Sequence, residues 1–271
     1  MYIPHPQYPT PQHASAADAI CELFSHDPAV DSVLLMGSTA RGKASPDSCL
    51  DILILSRPEV MAVERNRLES LWEAHFTGDA VGDKVGDKVY RDLLKVGAFS
   101  HVDLDFIDGC FDPANHPHGW TSGADEFELE VGNNLAYSVP LWEGGGYYQA
   151  LRERWLPYYP ESLRSERLAM VLKYCRNNLA HIPLYAPRGL YFQSFKRLYH
   201  AMEEFLQALF ISRSVYPIAY DKWVREEVVE ILGLPQVYER LAHVLEIQTF
   251  ESQQVVEQAR VLEALLQETG L

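Results

Sequence analysis

A glycine, a serine and an aspartate lie where they could handle a phosphorylated substrate. Gly37 and Ser38 follow a short apolar run, and Asp51 lies at the start of the next apolar run, after a polar connection. A glycine lets the backbone approach a triphosphate closely, and a serine hydroxyl with nearby amides can donate hydrogen bonds to phosphate oxygens. A carboxylate on the following strand can hold a magnesium ion, which prefers oxygen ligands. These residue types therefore predict phosphate binding with the help of a metal ion.

The same segment also has the spacing of a P-loop, which would hold phosphate in a different way. Gly37 and the pair Gly42-Lys43 follow a strand with the G-x-x-x-x-G-K spacing. Ala44, however, takes the position where a P-loop offers a hydroxyl to magnesium. A P-loop must also open a helix, and Pro46 with a new strand at Leu50 leaves no room for one. We therefore reject the P-loop interpretation.

The segment resembles the nucleotidyltransferase superfamily, which includes DNA polymerase beta and the antibiotic nucleotidyltransferases. That family has Gly-Ser at the end of one strand and Asp-x-Asp on the next, which Gly37-Ser38 and Ser48–Asp51 match apart from one residue. Ala40–Gly42 and Pro46–Ser48 also match its small bacterial members. The resemblance implies Mg²⁺-dependent transfer of a nucleoside monophosphate from a nucleoside triphosphate, with ATP as the expected donor. It also implies that Arg41 binds the nucleotide together with Gly37 and Ser38.

The family's third carboxylate lies on a further strand, and the chain offers two aspartates for it. Asp103 and Asp105 alternate onto one face of the strand predicted at His101–Ile107. One of them is expected to face Asp51, and if both do, a site with three carboxylates is formed. Asp51, Asp103 and Asp105 are therefore the expected catalytic and metal-binding residues.

Cys49 departs from the family pattern because it stands where the first aspartate is expected. Alternation along a strand sends residues 49 and 51 to the same face, but a thiol is a poor ligand for a hard ion such as magnesium. Two functions therefore stay open. One is a transferase that moves a nucleoside monophosphate to a hydroxyl of a small molecule, for example an aminoglycoside-like cation. The other is a catalytically weakened nucleotide-binding or regulatory protein on the same fold.

The helix and strand patterns change at a run of glycines, Gly144–Gly146, which divides the chain into two expected domains. Before this run, periodicity predicts helices at 15–26, with Ser15 as N-cap, and at 58–76, and strands at 32–36, 50–55, 101–107, 126–131 and 136–142. After it, only helices are predicted, at 160–182, 190–210, 221–233, 235–247 and 250–269. We therefore expect an α+β protein with a Pro-rich arm at 1–14, a nucleotidyltransferase-like mixed sheet flanked by helices at 15–145, and an all-α helical bundle at 146–271.

Basic residues of the helical half are expected to help at the phosphate site. The C-terminal helices of similar proteins often supply such residues, so the resemblance implies that Lys173 and Lys196 bind the triphosphate. Two other features predict no chemistry. The repeated tetrapeptide in Gly82–Val89 predicts a turn-rich loop, and His116 with His118 has no further metal ligands nearby in the sequence.

Charge and composition limit the partners and the compartment. The 271 residues carry a formal net charge of −15, so the average field repels nucleic-acid backbones and anionic lipid headgroups. General nucleic-acid binding is therefore not expected, whereas a cationic acceptor or a metal-shielded phosphate is compatible with this charge. The four cysteines lie far apart without a C-x-x-C pair, and no run of about 18 apolar residues occurs. A cytoplasmic protein with reduced thiols and no membrane segment is expected, and the oligomeric state stays open.

Overall fold

The computed structural model of the chain describes residues 4–75, 87–88, 102–111 and 123–271. The chain divides into two compact units, the first with residues 1–111 and 133–156 and the second with residues 112–132 and 157–271. The division thus follows Leu156 and not Gly145, and a segment before the glycine run belongs to the second unit. Most of Gly82–Val89, together with His116 and His118, lies outside the described residues.

The first unit contains a mixed sheet of five strands. In chain order they are β1 (Ser32–Leu35), β2 (Leu50–Leu55), β3 (Asp87–Lys88), β4 (Val102–Ile107) and β5 (Val139–Glu143). They lie in the order β3-β4-β2-β1-β5. β2 and β4 pair in parallel, while β1 with β2, β1 with β5 and β3 with β4 are antiparallel. The predicted mixed sheet is confirmed.

Helices flank this sheet and define two cores, one on each face. They are α1 (Pro11–Ser25), α2 (Gly37–Ala40), α3 (Pro58–His75), α4 (Asn134–Ala136) and α5 (Tyr147–Trp155). The even-numbered residues of β2 and β4, such as Ile52 and Leu104, share a buried core with Trp72 of α3. Leu53, on the odd-numbered face, packs in a second core with Tyr148 of α5. The candidate carboxylates have odd numbers and therefore lie on the face of the second core.

The proline-rich start of the chain leads into a helix earlier than predicted. Thr10, and not Ser15, is the N-cap of α1, since its hydroxyl accepts a hydrogen bond from the His13 amide at 3.4 Å. Pro11 stands in the first turn, where a missing amide hydrogen costs nothing. The prediction of a separate arm up to residue 14 is therefore wrong beyond residue 10.

The glycine run starts a helix inside the first unit. Gly146 is the N-cap of α5 with φ 76°, and Asp31 accepts hydrogen bonds from the amides of Tyr147 at 2.9 Å and Tyr148 at 3.0 Å. Gly145 has no room for a side chain, because an added Cβ would lie 2.1 Å from Asp31 Oδ1. An aspartate that caps free amides stabilises a helix N-terminus. The run is thus part of a helix cap and not a domain boundary.

The second unit is helical, which confirms the predicted C-terminal helical region. Its α-helices are α6 (Glu161–Tyr185), α7 (Tyr191–Arg213), α8 (Pro235–Val244) and α9 (Gln254–Glu268), and a π-helix covers Glu226–Ile231. Leu198 and Phe205 of α7 share a buried core with Leu262 of α9. None of the helices in the described ranges combines the length and the apolar character that a membrane-spanning helix needs.

The strand predicted at 126–131 is wrong, because this stretch belongs to a π-helix, Glu128–Asn133. Fully buried Glu128 accepts hydrogen bonds from Arg167 at 2.6 Å and from Gln207 at 2.7 Å. Arg167 also pairs with Asp125. We call Asp125, Glu128, Arg167 and Gln207 the buried charge cluster. A buried carboxylate must be paired and hydrogen-bonded, and this requirement overrides the alternating pattern of the sequence.

Candidate functional site

The turn after β1 is shaped around Asp51. The Met36 amide donates a hydrogen bond to the Asp51 carbonyl at 2.9 Å, and Gly37 adopts φ +62°, in the left-handed region. A Cβ added to Gly37 would lie 1.6 Å from Asp51 Oδ2 and 2.6 Å from its Cγ. Glycine is therefore required for two reasons, the backbone conformation and the space that the carboxylate occupies.

The two aspartates of β4 lie on the same sheet face as Asp51. In the parallel register, Asp51 pairs with Asp103 and Leu53 pairs with Asp105. Side chains of paired residues on neighbouring strands point to the same side of the sheet. Asp51 and Asp103 are half-buried, whereas Asp105 is exposed. The structure thus brings Asp103 next to Asp51 and places Asp105 further along the strand.

Cys49 interacts with both of these carboxylates. Burial raises the pKa of the Cys49 thiol to about 12, and the charge of Asp51, the hydrogen bond between the two side chains and the charge of Asp103 add to this rise. The thiol therefore stays protonated at neutral pH and donates its hydrogen to the Asp51 carboxylate. The thiolate, and not the thiol, is the form that binds metals. Cys49 thus stands where the family has its first aspartate, and a thiol is a poor ligand for a hard ion such as magnesium.

The carboxylates fit a magnesium ion that is shared with a nucleotide. Magnesium in proteins is commonly held by one or two carboxylates together with the phosphates of a substrate. Asp51 and Asp103 supply hard oxygen donors side by side on β2 and β4. Among the residues that the structure describes, no group of three His, Cys, Asp or Glu side chains is arranged to hold a metal. The donor set therefore suits two carboxylates completed by phosphate oxygens.

Ser38 and Arg41, two of the expected nucleotide ligands, lie in and directly after α2. Their side chains are largely covered, with exposed fractions of 7% for Ser38 and 5% for Arg41. Lys43 is exposed, and its amide donates a hydrogen bond to the Ser38 carbonyl at 2.8 Å. The turn is therefore compact, and Lys43 is a solvent-exposed cation within it. In the sequence, Lys43 attracts notice only through the spacing of the rejected P-loop.

The start of the chain lies across this turn, which the sequence did not predict. The Gln7 amide donates a hydrogen bond to the Thr39 carbonyl at 3.0 Å. The His5 carbonyl oxygen comes so close to Gly42 that a Cβ added there would lie 2.7 Å from it. Residues 5–7 therefore contact the turn through backbone atoms, and backbone contacts leave no signal in a sequence.

His13 ties α1 to the strand that carries Asp51. The His13 side chain is fully buried, and its Nε2 lies 2.9 Å from the Ser48 carbonyl. Because a carbonyl oxygen only accepts, Nε2 must carry a hydrogen and donate it. Nδ1 lies 2.8 Å from the Thr10 hydroxyl, which can donate to it in the neutral ring. His13 thus holds the chain just before Cys49, a role that a lone histidine in a sequence does not reveal.

The remaining predicted nucleotide ligands lie in the second unit. Lys173 of α6 and Lys196 of α7 are both exposed, and their binding to the triphosphate stays a prediction.

Two carboxyl groups on α7 have raised pKa values. Burial raises the pKa of Glu203 to about 7, with Asp221 adding to the rise, and burial raises that of Glu204 to about 8.

The comparisons with known proteins include a family match and a similar solved structure. Residues 14–97 match the family model of the nucleotidyltransferase domain. No curated protein matches the chain. The crystal structure of a nucleotidyltransferase-like protein from Exiguobacterium sibiricum 255-15 is similar over 94% of this chain and 74% of its own, with 15% sequence identity and a TM-score of 0.45. The resemblance predicted from Gly37-Ser38 and Asp51 is confirmed by the match of residues 14–97 to the nucleotidyltransferase domain family.

Proposed function

We propose that the protein transfers a nucleoside monophosphate from a nucleoside triphosphate, with ATP as the donor and Mg²⁺ as the metal, to a hydroxyl of a small molecule. The domain family supports nucleotidyl transfer in general. The donor, the metal and the acceptor are our proposal. The observation that carries it is the pair of carboxylates, Asp51 and Asp103, on parallel strands beside the Gly37 turn.

Each residue of the site has a proposed task. Asp51 and Asp103 would hold the magnesium ion, and the ion would neutralise charge on the transferring phosphoryl group and align the acceptor. Asp105, the third carboxylate that the sequence predicts, would act from its place further along β4. Gly37 leaves room for the Asp51 carboxylate. Cys49 donates a hydrogen bond to that carboxylate and so orients it. Ser38 and Arg41 are the proposed phosphate ligands in the turn.

The proposed acceptor is a small hydroxyl-bearing cation, such as an aminoglycoside-like molecule. The chain carries a net charge of −15, and such a surface attracts cations over distances comparable with the Debye length. We expect kcat/KM for a cationic acceptor to fall as salt is raised, while that for a neutral sugar changes little. An equal salt response of the two acceptors would contradict a role of charge in acceptor choice.

Titration calorimetry with Mg·ATP and the other nucleoside triphosphates, followed by a pyrophosphate-release assay with candidate acceptors, tests the proposal. Asp51→Asn should abolish metal-dependent binding. Asp47→Asn is a matched control, because Asp47 is exposed in the loop before β2. Asp103→Asn should weaken binding more than Asp105→Asn, since Asp103 and not Asp105 pairs with Asp51. Failure of the unaltered protein to bind any triphosphate would refute the proposal.

A second candidate function is nucleotide binding without turnover, and the presence of Cys49 in place of an aspartate favours it. The site holds a thiol donor where the family has a metal-binding aspartate. Binding of Mg·ATP without pyrophosphate release from any acceptor would support this function over transfer.

Substitutions at Cys49 separate the two functions. Cys49→Asp should create or raise pyrophosphate release if the site lacks a ligand. Cys49→Ser should leave the original level, because it keeps a hydrogen-bond donor and adds no carboxylate. If Cys49→Asp lowers the release that the unaltered protein shows, the carboxylates of β2 and β4 are already sufficient and the protein is an active transferase.

A further inference from the structure

The second unit contains a cavity of about 540 Å³ that the nucleotide site does not explain. Its lining residues come from α6, α9 and the last residue of the chain, and all of them belong to the second unit. Leu179, Val256 and Leu266 give it an apolar wall, and Arg176 and Arg260 add one guanidinium from each helix. A cavity of this size with a few polar groups is typical of small-molecule sites.

Some arginines of the second unit are paired with carboxylates, and others are not. Arg164, Arg167 and Arg240 form ion pairs with carboxylates. In the part of the chain that the structure describes, neither Arg176 nor Arg260 donates a hydrogen bond or forms an ion pair. Both arginines are exposed, so their donors are open to solvent and to a ligand. A guanidinium fits a carboxylate or phosphate with two parallel hydrogen bonds.

We propose that this cavity binds a small organic anion with an apolar body, whose acidic group meets Arg176 and Arg260. The apolar body would cover Leu179 and its neighbours. Glu263 also lines the cavity, so the charged side chains of the lining are two cations and one anion. This site is independent of the proposed nucleotidyl transfer, so failure of one proposal does not affect the other.

Titration calorimetry with the full chain and four probes tests the charge and the apolar body. Octanoate and octyl phosphate carry both features, octylammonium reverses the charge, and inorganic phosphate lacks the apolar body. We expect one or both of the first two probes to bind and the last two to give no saturable heat. If octanoate binds more tightly than octyl phosphate, the acidic group of the ligand is a carboxylate, and if octyl phosphate binds more tightly, it is a phosphate. Equal binding of octylammonium, or no binding of either anion, would overturn the proposal.

Substitutions then locate the binding. Arg176→Gln and Arg260→Gln should each weaken binding of the better anion about tenfold, because each removes a charged hydrogen bond. Ala180→Phe should also weaken it, since Ala180 lines the cavity and is exposed, so a phenyl ring there would take up part of the cavity. Arg213→Gln is the control, because Arg213 ends α7 outside the lining. Unchanged affinity in both Arg176→Gln and Arg260→Gln, or an equal loss in Arg213→Gln, would overturn the proposal.

Discussion

Replacement of Gly37 by alanine should displace the Asp51 carboxylate and weaken binding of Mg·ATP. Gly37 has φ +62°, and a Cβ added there would lie 1.6 Å from Asp51 Oδ2. Ordinary contact begins at 3.4 Å, so either the carboxylate or the turn must move. A metal ligand tolerates displacements of about 0.2 Å. The displacement forced by one methyl group therefore exceeds what a shared magnesium ion accepts.

Gly146 offers a matched control for the backbone part of this effect. It has φ +76°, and no atom lies within 4 Å of an added Cβ. Gly146→Ala should therefore cost only the left-handed backbone conformation, about 1–2 kcal/mol. Gly37→Ala has the same backbone cost and also crowds the Asp51 carboxylate, and such overpacking costs about 1–3 kcal/mol. Its free energy of unfolding should therefore fall by about 2–5 kcal/mol.

Urea unfolding and calorimetric titration with Mg·ATP measure the two effects separately. Gly146→Ala should bind Mg·ATP like the unaltered protein. Gly37→Ala should bind at least about tenfold more weakly, as do variants in which the support of a metal ligand is lost. If Gly37→Ala and Gly146→Ala lose the same stability and bind Mg·ATP equally well, Asp51 does not occupy the space beside Gly37 and the reasoning fails.

Three further predictions test the electrostatics of each unit. At pH 8, iodoacetamide should modify exposed Cys110 faster than Cys49, because the pKa of Cys49 is raised to about 12. Mass spectrometry of a digest measures the two rates, and equal rates would contradict a protonated Cys49. Burial raises the pKa of Glu204 from 4.5 to about 8, so its contribution to stability is complete below pH 4.5 and is lost as the pH rises through 8. Urea unfolding at pH 5 and pH 9 should show this loss of unfolding free energy, on the order of a few kcal/mol, in the unaltered protein and not in Glu204→Gln. An unchanged pH dependence in Glu204→Gln would show that Glu204 titrates normally. Arg167→Met should lower the free energy of unfolding by about 3–5 kcal/mol, because Glu128 and Asp125 stay buried without their cation. The control Arg164→Met should lower it by under about 1 kcal/mol. Similar losses in the two variants would contradict the buried charge cluster.

The strand motif was predictable because its chemistry and its periodicity agree. β2 spans Leu50–Leu55, as its apolar run predicts, and alternation alone places Asp103 and Asp105 on one face of β4. Which of the two stands opposite Asp51 depends on strand register. Register is decided by packing of the whole sheet and by the connections between its strands, so a single sequence leaves it open.

The predictions failed where contacts between distant residues decide the local structure. Glu128 was placed on a strand by alternation, but Arg167, which lies 39 residues further along the chain, pairs with it inside the second unit. The glycines near Gly146 were interpreted as a boundary, but Asp31, 117 residues before Tyr148, caps the helix that they start. Neither partner is visible from the local pattern.

The contacts of the first residues with the Gly37 turn bear on how the protein should be shortened for experiments. A chain trimmed to begin at Ser15, where the sequence predicts the first helix, would lack Gln7, which bonds to Thr39, and His13, which bonds to Ser48. It would retain the whole nucleotidyltransferase motif in its sequence. Loss of nucleotide binding in such a trimmed protein would therefore report on missing support from residues 5–13 and not on the chemistry of the carboxylates.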